Sequence, residues 1–172
     1  MALRFIENKT EVICLAAVQQ NGWALQFIPL EFQTENVCLA AVKQNPHSIR
    51  HCIKLEKTIC YYAVQQDGLA LCNIKKSKRS KDICFIAVQQ NSDALEYIEN
   101  QTKELCKLSL LFSSGRSFKY IKEQTREMCL YAVNLNGLNL KYVENQDEEI
   151  CLAAIKQNKK SLEFVNPHLF NK

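Results

Sequence analysis

The sequence predicts an all-α protein: an α-solenoid of about seven tandem two-helix repeats of 22–24 residues behind an N-terminal half-repeat. The prediction rests on three features of the chain. A cysteine-centred phrase recurs seven times, each copy carries the apolar spacing of an α-helix, and each is followed by a capping residue and a second short apolar pattern.

The phrase reads ICLAAVQQNG at 13–22, VCLAAVKQNP at 37–46 and ICLAAIKQNK at 150–159. Its cysteines are Cys14, Cys38, Cys60, Cys84, Cys106, Cys129 and Cys151, at intervals of 24, 22, 24, 22, 23 and 22 residues. They divide the chain into a half-repeat 1–8, repeats 9–32, 33–54, 55–78, 79–100, 101–123, 124–145 and 146–167, and a short tail 168–172, all one helical array. Ala2-Leu3-Arg4-Phe5-Ile6 matches the second helix of a unit whose first helix is missing, so both ends of the array read as uncapped.

Within each copy the first helix is marked by its stripe and its start. Positions −1, 0, +3 and +4 around the cysteine are apolar or small, as in Ile13, Cys14, Ala17 and Val18, which is one face of an α-helix. Four residues before the cysteine stand Thr10, Thr34, Glu56, Ser80, Thr102, Thr125 and Asp147, and six of these seven are good N-cap residues. Seven residues after it stand Asn21, Asn45, Asp67, Asn91, Ser113, Asn136 and Asn158, the predicted caps of the second helix. Pro46 follows Asn45, where a first-turn proline belongs. The pattern Ala24-Leu25-x-Phe27-Ile28 then recurs as Ala94-Leu95-x-Tyr97-Ile98, which predicts a second helix of about eight residues after a first of about ten. Helices this short are unstable alone and must be stacked.

The repeated cysteines read as core. Equivalent positions in neighbouring repeats lie about 8–10 Å apart, beyond disulfide reach, and no Cys-x-x-Cys pair supplies a zinc corner. Nine cysteines in all, without an apolar N-terminal leader, predict free thiols in a reducing, intracellular and cytoplasmic setting. The uncharged run from Val12 to Leu30 is broken by Gln19, Gln20, Asn21, Gln26 and Pro29, so no membrane partner is expected. A formal charge of +4 is too mild to make nucleic acid the default ligand.

Four local features bear on function. Gln20, Gln44, Gln66, Gln90 and Gln157, at +6, suggest a hydrogen-bond ladder or turn lock between repeats. KKSKRSK at 75–81 is the one charge run; Lys75, Lys76, Lys78, Arg79 and Lys81 form a candidate anion- or partner-binding site and a candidate nuclear import signal. His47 and His51 have the i, i+4 spacing of a metal pair, but His51 fills the slot of Phe27 and Tyr97 and no metal is expected. The fifth repeat departs most, with Lys107 and LLF at 110–112, and SSGRS at 113–117 adds one residue. It reads as a degenerate unit that bends the array or offers Leu111 and Phe112 to a partner, with a phosphate cradle as the weaker alternative. Catalytic signatures such as His-Glu-x-x-His, Gly-x-Ser-x-Gly or a phosphate loop do not occur, so neither an enzyme nor a cofactor is expected.

VCLAAVKQNPHSI, with copies ending in ALQFI and ALEYI, resembles a short α-helical repeat family classed as a domain of unknown function, common in giant viruses of amoebae (Mimivirus relatives) and in Legionella-like bacteria. The resemblance spans essentially the whole chain and is poorest in the fifth repeat. It implies an interaction repeat, virus-encoded or host-directed, and carries over no catalytic residue. The expected function is thus a non-enzymatic protein–protein interaction scaffold whose partner the sequence does not name. Nucleic acid at the basic run is the alternative, and end-to-end self-association through the uncapped termini is a further expectation.

Overall fold

The computed structural model describes residues 10–169, so the predicted half-repeat 1–8 lies outside the described residues. Among those described there are seven α-helices and no strand. The helices are α1 (Glu11–Gln20), α2 (Glu35–Gln44), α3 (Lys57–Gln66), α4 (Lys81–Gln90), α5 (Lys103–Phe112), α6 (Arg126–Leu135) and α7 (Glu148–Gln157), each ten residues long. This is an all-α helical repeat. The chain divides into two compact units, the first ending at Ala94 with α1–α4 and the second beginning at Leu95 with α5–α7.

The capping residues act at the predicted places. Thr10, Thr34, Ser80, Thr102, Thr125 and Asp147 accept from the amide three residues on, while Glu56 of α3 makes no such bond. At the far end the backbone amide of Asn21 bonds the Ala17 carbonyl and its side chain accepts from Trp23 N at 3.0 Å. One extended residue thus closes the α-helix and opens the next element. Asn45, Asp67, Asn91, Asn136 and Asn158 do the same.

That next element is not the predicted eight-residue α-helix. It is a six-residue 3₁₀ helix: Gly22–Phe27, Pro46–His51, Gly68–Asn73, Ser92–Tyr97, Gly137–Tyr142 and Lys159–Phe164, with five residues at Arg116–Tyr120. The reason lies in the burial period. Gly22, Leu25 and Ile28 are buried, as are Gly68, Leu71 and Ile74, a spacing of three that matches three residues per turn. The interval lengths follow from the links. The two 24-residue intervals each contain an extra single turn, Leu30–Phe32 and Lys76–Lys78.

Neighbouring α-helices within a unit run parallel, since first turn meets first turn. Thr34 Oγ1 donates to Glu11 at 2.7 Å, Thr58 Oγ1 to Glu35 at 3.1 Å, and Arg126 Nε to Asp147 at 2.7 Å. Behind them the core is a layer of cysteine, alanine and β-branched side chains facing the 3₁₀ leucines and isoleucines. Two ladders tie repeat to repeat. In the first, Gln44, Gln90 and Gln157 accept from the amides of Gly22, Gly68 and Gly137 in the preceding repeat, at 2.6, 2.5 and 2.6 Å. In place of a uniform ladder, the lock depends on what faces the glutamine: opposite Gln66 the preceding repeat has Pro46, which has no amide hydrogen to give. There His47 takes over, bonding Asp67 and Asn73 at 2.8 Å each.

Candidate interaction surface

The second ladder escaped the sequence reading and alters the candidate site. Five residues before the repeat cysteine stand Gln33, Gln101, Gln124 and Gln146. Each donates to carbonyls at the ends of 3₁₀ helices, Gln33, Gln101 and Gln146 reaching the preceding repeat, and accepts an amide from the end of its own repeat, as Gln101 does with Tyr120 O at 2.8 Å and Lys122 N at 3.0 Å. Arg79 occupies this slot in the fourth repeat. It donates through Nε to Ile74 O at 2.8 Å and through Nη2 to Cys72 O at 3.4 Å. Arg79 therefore also acts as a strut, which sets it apart from the four lysines of the run at 75–81. Lys75, Lys76, Lys78 and Lys81 are exposed, and Lys76 and Lys78 bound the extra turn. The glutamine signal was present in the sequence, but Leu55 and Arg79 interrupt it.

All seven repeat cysteines are buried free thiols. Burial pushes the thiols of Cys60, Cys84, Cys129 and Cys151 above their ordinary range and that of Cys106 up to about 11. Their sulfurs lie over the second ladder: Cys106 Sγ is 3.8 Å from Gln101 Oε1 and Cys151 Sγ is 3.6 Å from Gln146 Oε1. Cys52, outside the repeated set, hydrogen-bonds Cys38, and that contact with burial raises its pKa. The sequence argument considered only equivalent cysteines in adjacent repeats, and this pair within one repeat escaped it. Cys72 is the exposed cysteine.

The two histidines part company. His47 faces Asp67 and Asn73, whereas His51 packs edge-on against Trp23 with ring centroids 5.7 Å apart. In a 3₁₀ helix residues three apart share a face, so the i, i+4 pair of an α-helix does not form. Among the described residues no group of three or more His, Cys, Asp or Glu is arranged to hold a metal.

In the fifth repeat α5 ends in a Schellman turn. The amide of Gly115 bonds Leu110 O at 2.7 Å and that of Ser114 bonds Leu111 O at 3.3 Å, with φ of 84° and 51°. The added residue is absorbed there. Ser113 therefore reaches the following helix by another geometry than the asparagines, its Oγ accepting from Ser117 N at 3.0 Å, while Gly115 directly precedes that helix. Ser113 Oγ also donates to Ser109 O at 2.7 Å and joins Ser109 and Ser117 in a buried hydroxyl cluster. Of the candidate hydroxyls for a phosphate, those of Ser113 and Ser117 are spent in this cluster, while Ser114 and Arg116 are exposed.

What α5 presents outward is apolar. Leu111 and Phe112 are 59% and 51% exposed. Leu108 and Leu111 of α5 and Tyr131 of α6 floor a groove of about 530 Å³, with Glu104, Lys107, Glu127 and Asn134 around it. A second groove of about 590 Å³ follows between α6 and α7, lined by Arg126, Asp147, Glu148, Glu149, Leu152, Ala153 and Lys156. Single exposed apolar residues are ordinary, but a row of them on facing helices is the kind of surface a partner covers.

A family model described as "Domain of unknown function (DUF4116)" matches residues 13–55 and 125–170, about half of the chain. No curated protein and no solved structure matches it. No described helix is long and apolar enough to cross a membrane.

Proposed function

The chain belongs to the DUF4116 domain family, and from that premise we propose that it is a non-enzymatic protein–protein interaction scaffold. The observation that supports this reading is the outward row of Leu108, Leu111, Phe112 and Tyr131, set on a repeat whose buried serine cluster and Gln101 side chain are spent on internal hydrogen bonds. Folding alone would be served as well by polar residues there. The resemblance noted above supports the finer part of the proposal, a virus-encoded or host-directed protein acting inside the host cell, in its cytoplasm.

A second reading rests on Lys75, Lys76, Lys78 and Lys81. These four cations stand exposed on the link between the third and fourth repeats, where they would meet phosphates or an import receptor. The two readings separate in one experiment, affinity purification from host lysate with and without nuclease, using wild type and a variant with Glu at these four positions. A defined protein recovered in every condition supports the scaffold. Recovery that disappears with nuclease and with the Glu variant replaces it with nucleic-acid binding.

A further inference from the structure

We infer that the outer face of α5–α7 is the docking site for a basic amphipathic helix. This rests on the scaffold reading and names the chemistry of its partner. Two features of that face converge on such an occupant, and both lie within the second unit.

The first is an apolar strip. Leu108, Leu111, Tyr131 and Leu152 project from the outer faces of three parallel helices, with Leu111 and Leu152 59% and 55% exposed. Helices packed about 9 Å apart make such a strip about 20 Å long. An α-helix of about 13 residues laid across it would span that length. Leucine-type anchors at i, i+3, i+4 and i+7 are what a helix presents to a groove of this kind.

The second is a row of carboxylates along the first turns of these helices, with Lys156 a cation lining the groove past Leu152. Two residues before each cysteine of this unit stands a glutamate, Glu104, Glu127 and Glu149, where the first unit has Val12, Asn36, Thr58 and Asp82. Asp147 and Glu148 join the row. Lys107 bonds Glu127 at 2.8 Å, and Arg126 bonds Asp147 at 2.7 Å and also Glu149. With Lys103, three cations on this edge face five carboxylates. The carboxyl of Glu104 is held below the usual carboxylate range by its own backbone amide and the Thr102 hydroxyl, so it stays ionised. A helix lying on the strip therefore meets negative charge along one flank, and lysine or arginine on that flank is the complementary choice.

The test uses the full chain and a dye-labelled peptide of about 14 residues made of Leu and Lys, with Leu at the i, i+3, i+4, i+7 positions. A scrambled peptide and a Leu/Glu counterpart serve as comparisons, read by fluorescence anisotropy. The Leu/Lys peptide should bind wild type about tenfold more tightly than either comparison. Affinity should fall about tenfold in Leu111→Lys/Tyr131→Lys. In Glu104→Lys/Glu148→Lys, which leaves the strip intact, it should fall about threefold with a shallower salt dependence. Phe85→Lys, in the first unit, should change nothing. The inference is overturned if the Leu/Glu peptide binds as well as its basic partner, if no peptide binds, or if Leu111→Lys/Tyr131→Lys binds unchanged. A dimer in sedimentation that Leu111→Lys dissolves would also overturn it, by making a second copy the occupant. A lysate protein still captured by Leu111→Lys/Tyr131→Lys sinks the groove and leaves the scaffold standing, so the two failures are distinct.

Discussion

The junction between α3 and α4 and the junction between α5 and α6 solve one packing problem with different chemistry. At the first, Gly68 N donates to Gln90 Oε1 at 2.5 Å, and Gln90 Nε2 returns a bond to Gln66 O at 3.2 Å. At the second, the +6 position of α6 is Leu135, which has no oxygen to offer, and the facing turn is rebuilt as the Schellman turn ending at Gly115. Asn139 then supplies the bond across the junction, from Nδ2 to Gly115 O at 2.9 Å, with a second to Ala132 O at 3.0 Å. The difference shows that the lock is two-sided. At this junction both sides have changed together, whereas opposite Pro46 the glutamine Gln66 is kept and His47 supplies the bonds.

The largest expected costs come from the residue beneath each junction. Phe118 is fully buried where the third repeat has Leu71, also fully buried. Phe118→Ala removes more volume and should cost about 4 kcal/mol, against about 3 kcal/mol for Leu71→Ala. Urea unfolding of the full chain measures both. Equal costs would mean that the fifth repeat collapses around the cavity, and that its serine cluster is a loose substitute rather than an equivalent junction.

The glycines give smaller costs with a sharper cause. A Cβ on Gly68 would stand 2.2 Å from the backbone oxygen of Ala87, which cannot swing aside, so Gly68→Ala should cost about 3 kcal/mol by forcing the helices apart. At Gly115 the nearest atom is the Asn139 side-chain nitrogen at 2.8 Å, which can rotate at the expense of its bonds. The penalty there comes largely from φ of 84°, and Gly115→Ala should cost about 1–2 kcal/mol. Thermal midpoints of the two variants decide the order. A reversed order would place the strain in the turn and not in the close approach of neighbouring helices.

How much of this was legible follows from what is local. The cysteine phrase, its stripe and its caps involve residues within one turn of each other, so Thr10, Cys14, Val18 and Asn21 reveal α1 without any knowledge of its neighbours. The 3₁₀ elements were legible in principle through Gly22, Leu25 and Ile28, but three residues at a spacing of three fit an amphipathic α-helix nearly as well over so short a run. The role of Arg79 was not legible. Its slot is recognised only when Gln33, Gln101, Gln124 and Gln146 are seen holding the backbone at the ends of 3₁₀ helices, Gln101 and Gln146 on two repeats at once. The outward strip of α5–α7 was half legible. Leu111 and Phe112 stood out in the sequence, whereas Leu108, Tyr131 and Leu152 join them only through the parallel alignment of three helices.

The smallest effect distinguishes the units without disturbing either. Of nine free thiols only Cys72, in the first unit, is exposed. Partial burial raises its pKa above the ordinary 9.0, with Arg79 opposing the shift, so the reactive thiolate is scarce near neutrality and increases as pH rises toward and beyond 9. Iodoacetamide on the native protein should therefore add one adduct, faster at higher pH, and Cys72→Ser should abolish it with no change in unfolding midpoint. The eight buried cysteines should react only after unfolding. A second native adduct on Cys106 or Cys129 would have a specific meaning. Those sulfurs lie beneath Gln101 and Gln124, so reagent reaching them requires the second ladder to open in the unit that lacks glutamine at the α5–α6 junction. Such labelling, with Cys60 and Cys84 still protected, would show that the asparagine and serine arrangement holds its repeats less firmly than the glycine–glutamine lock.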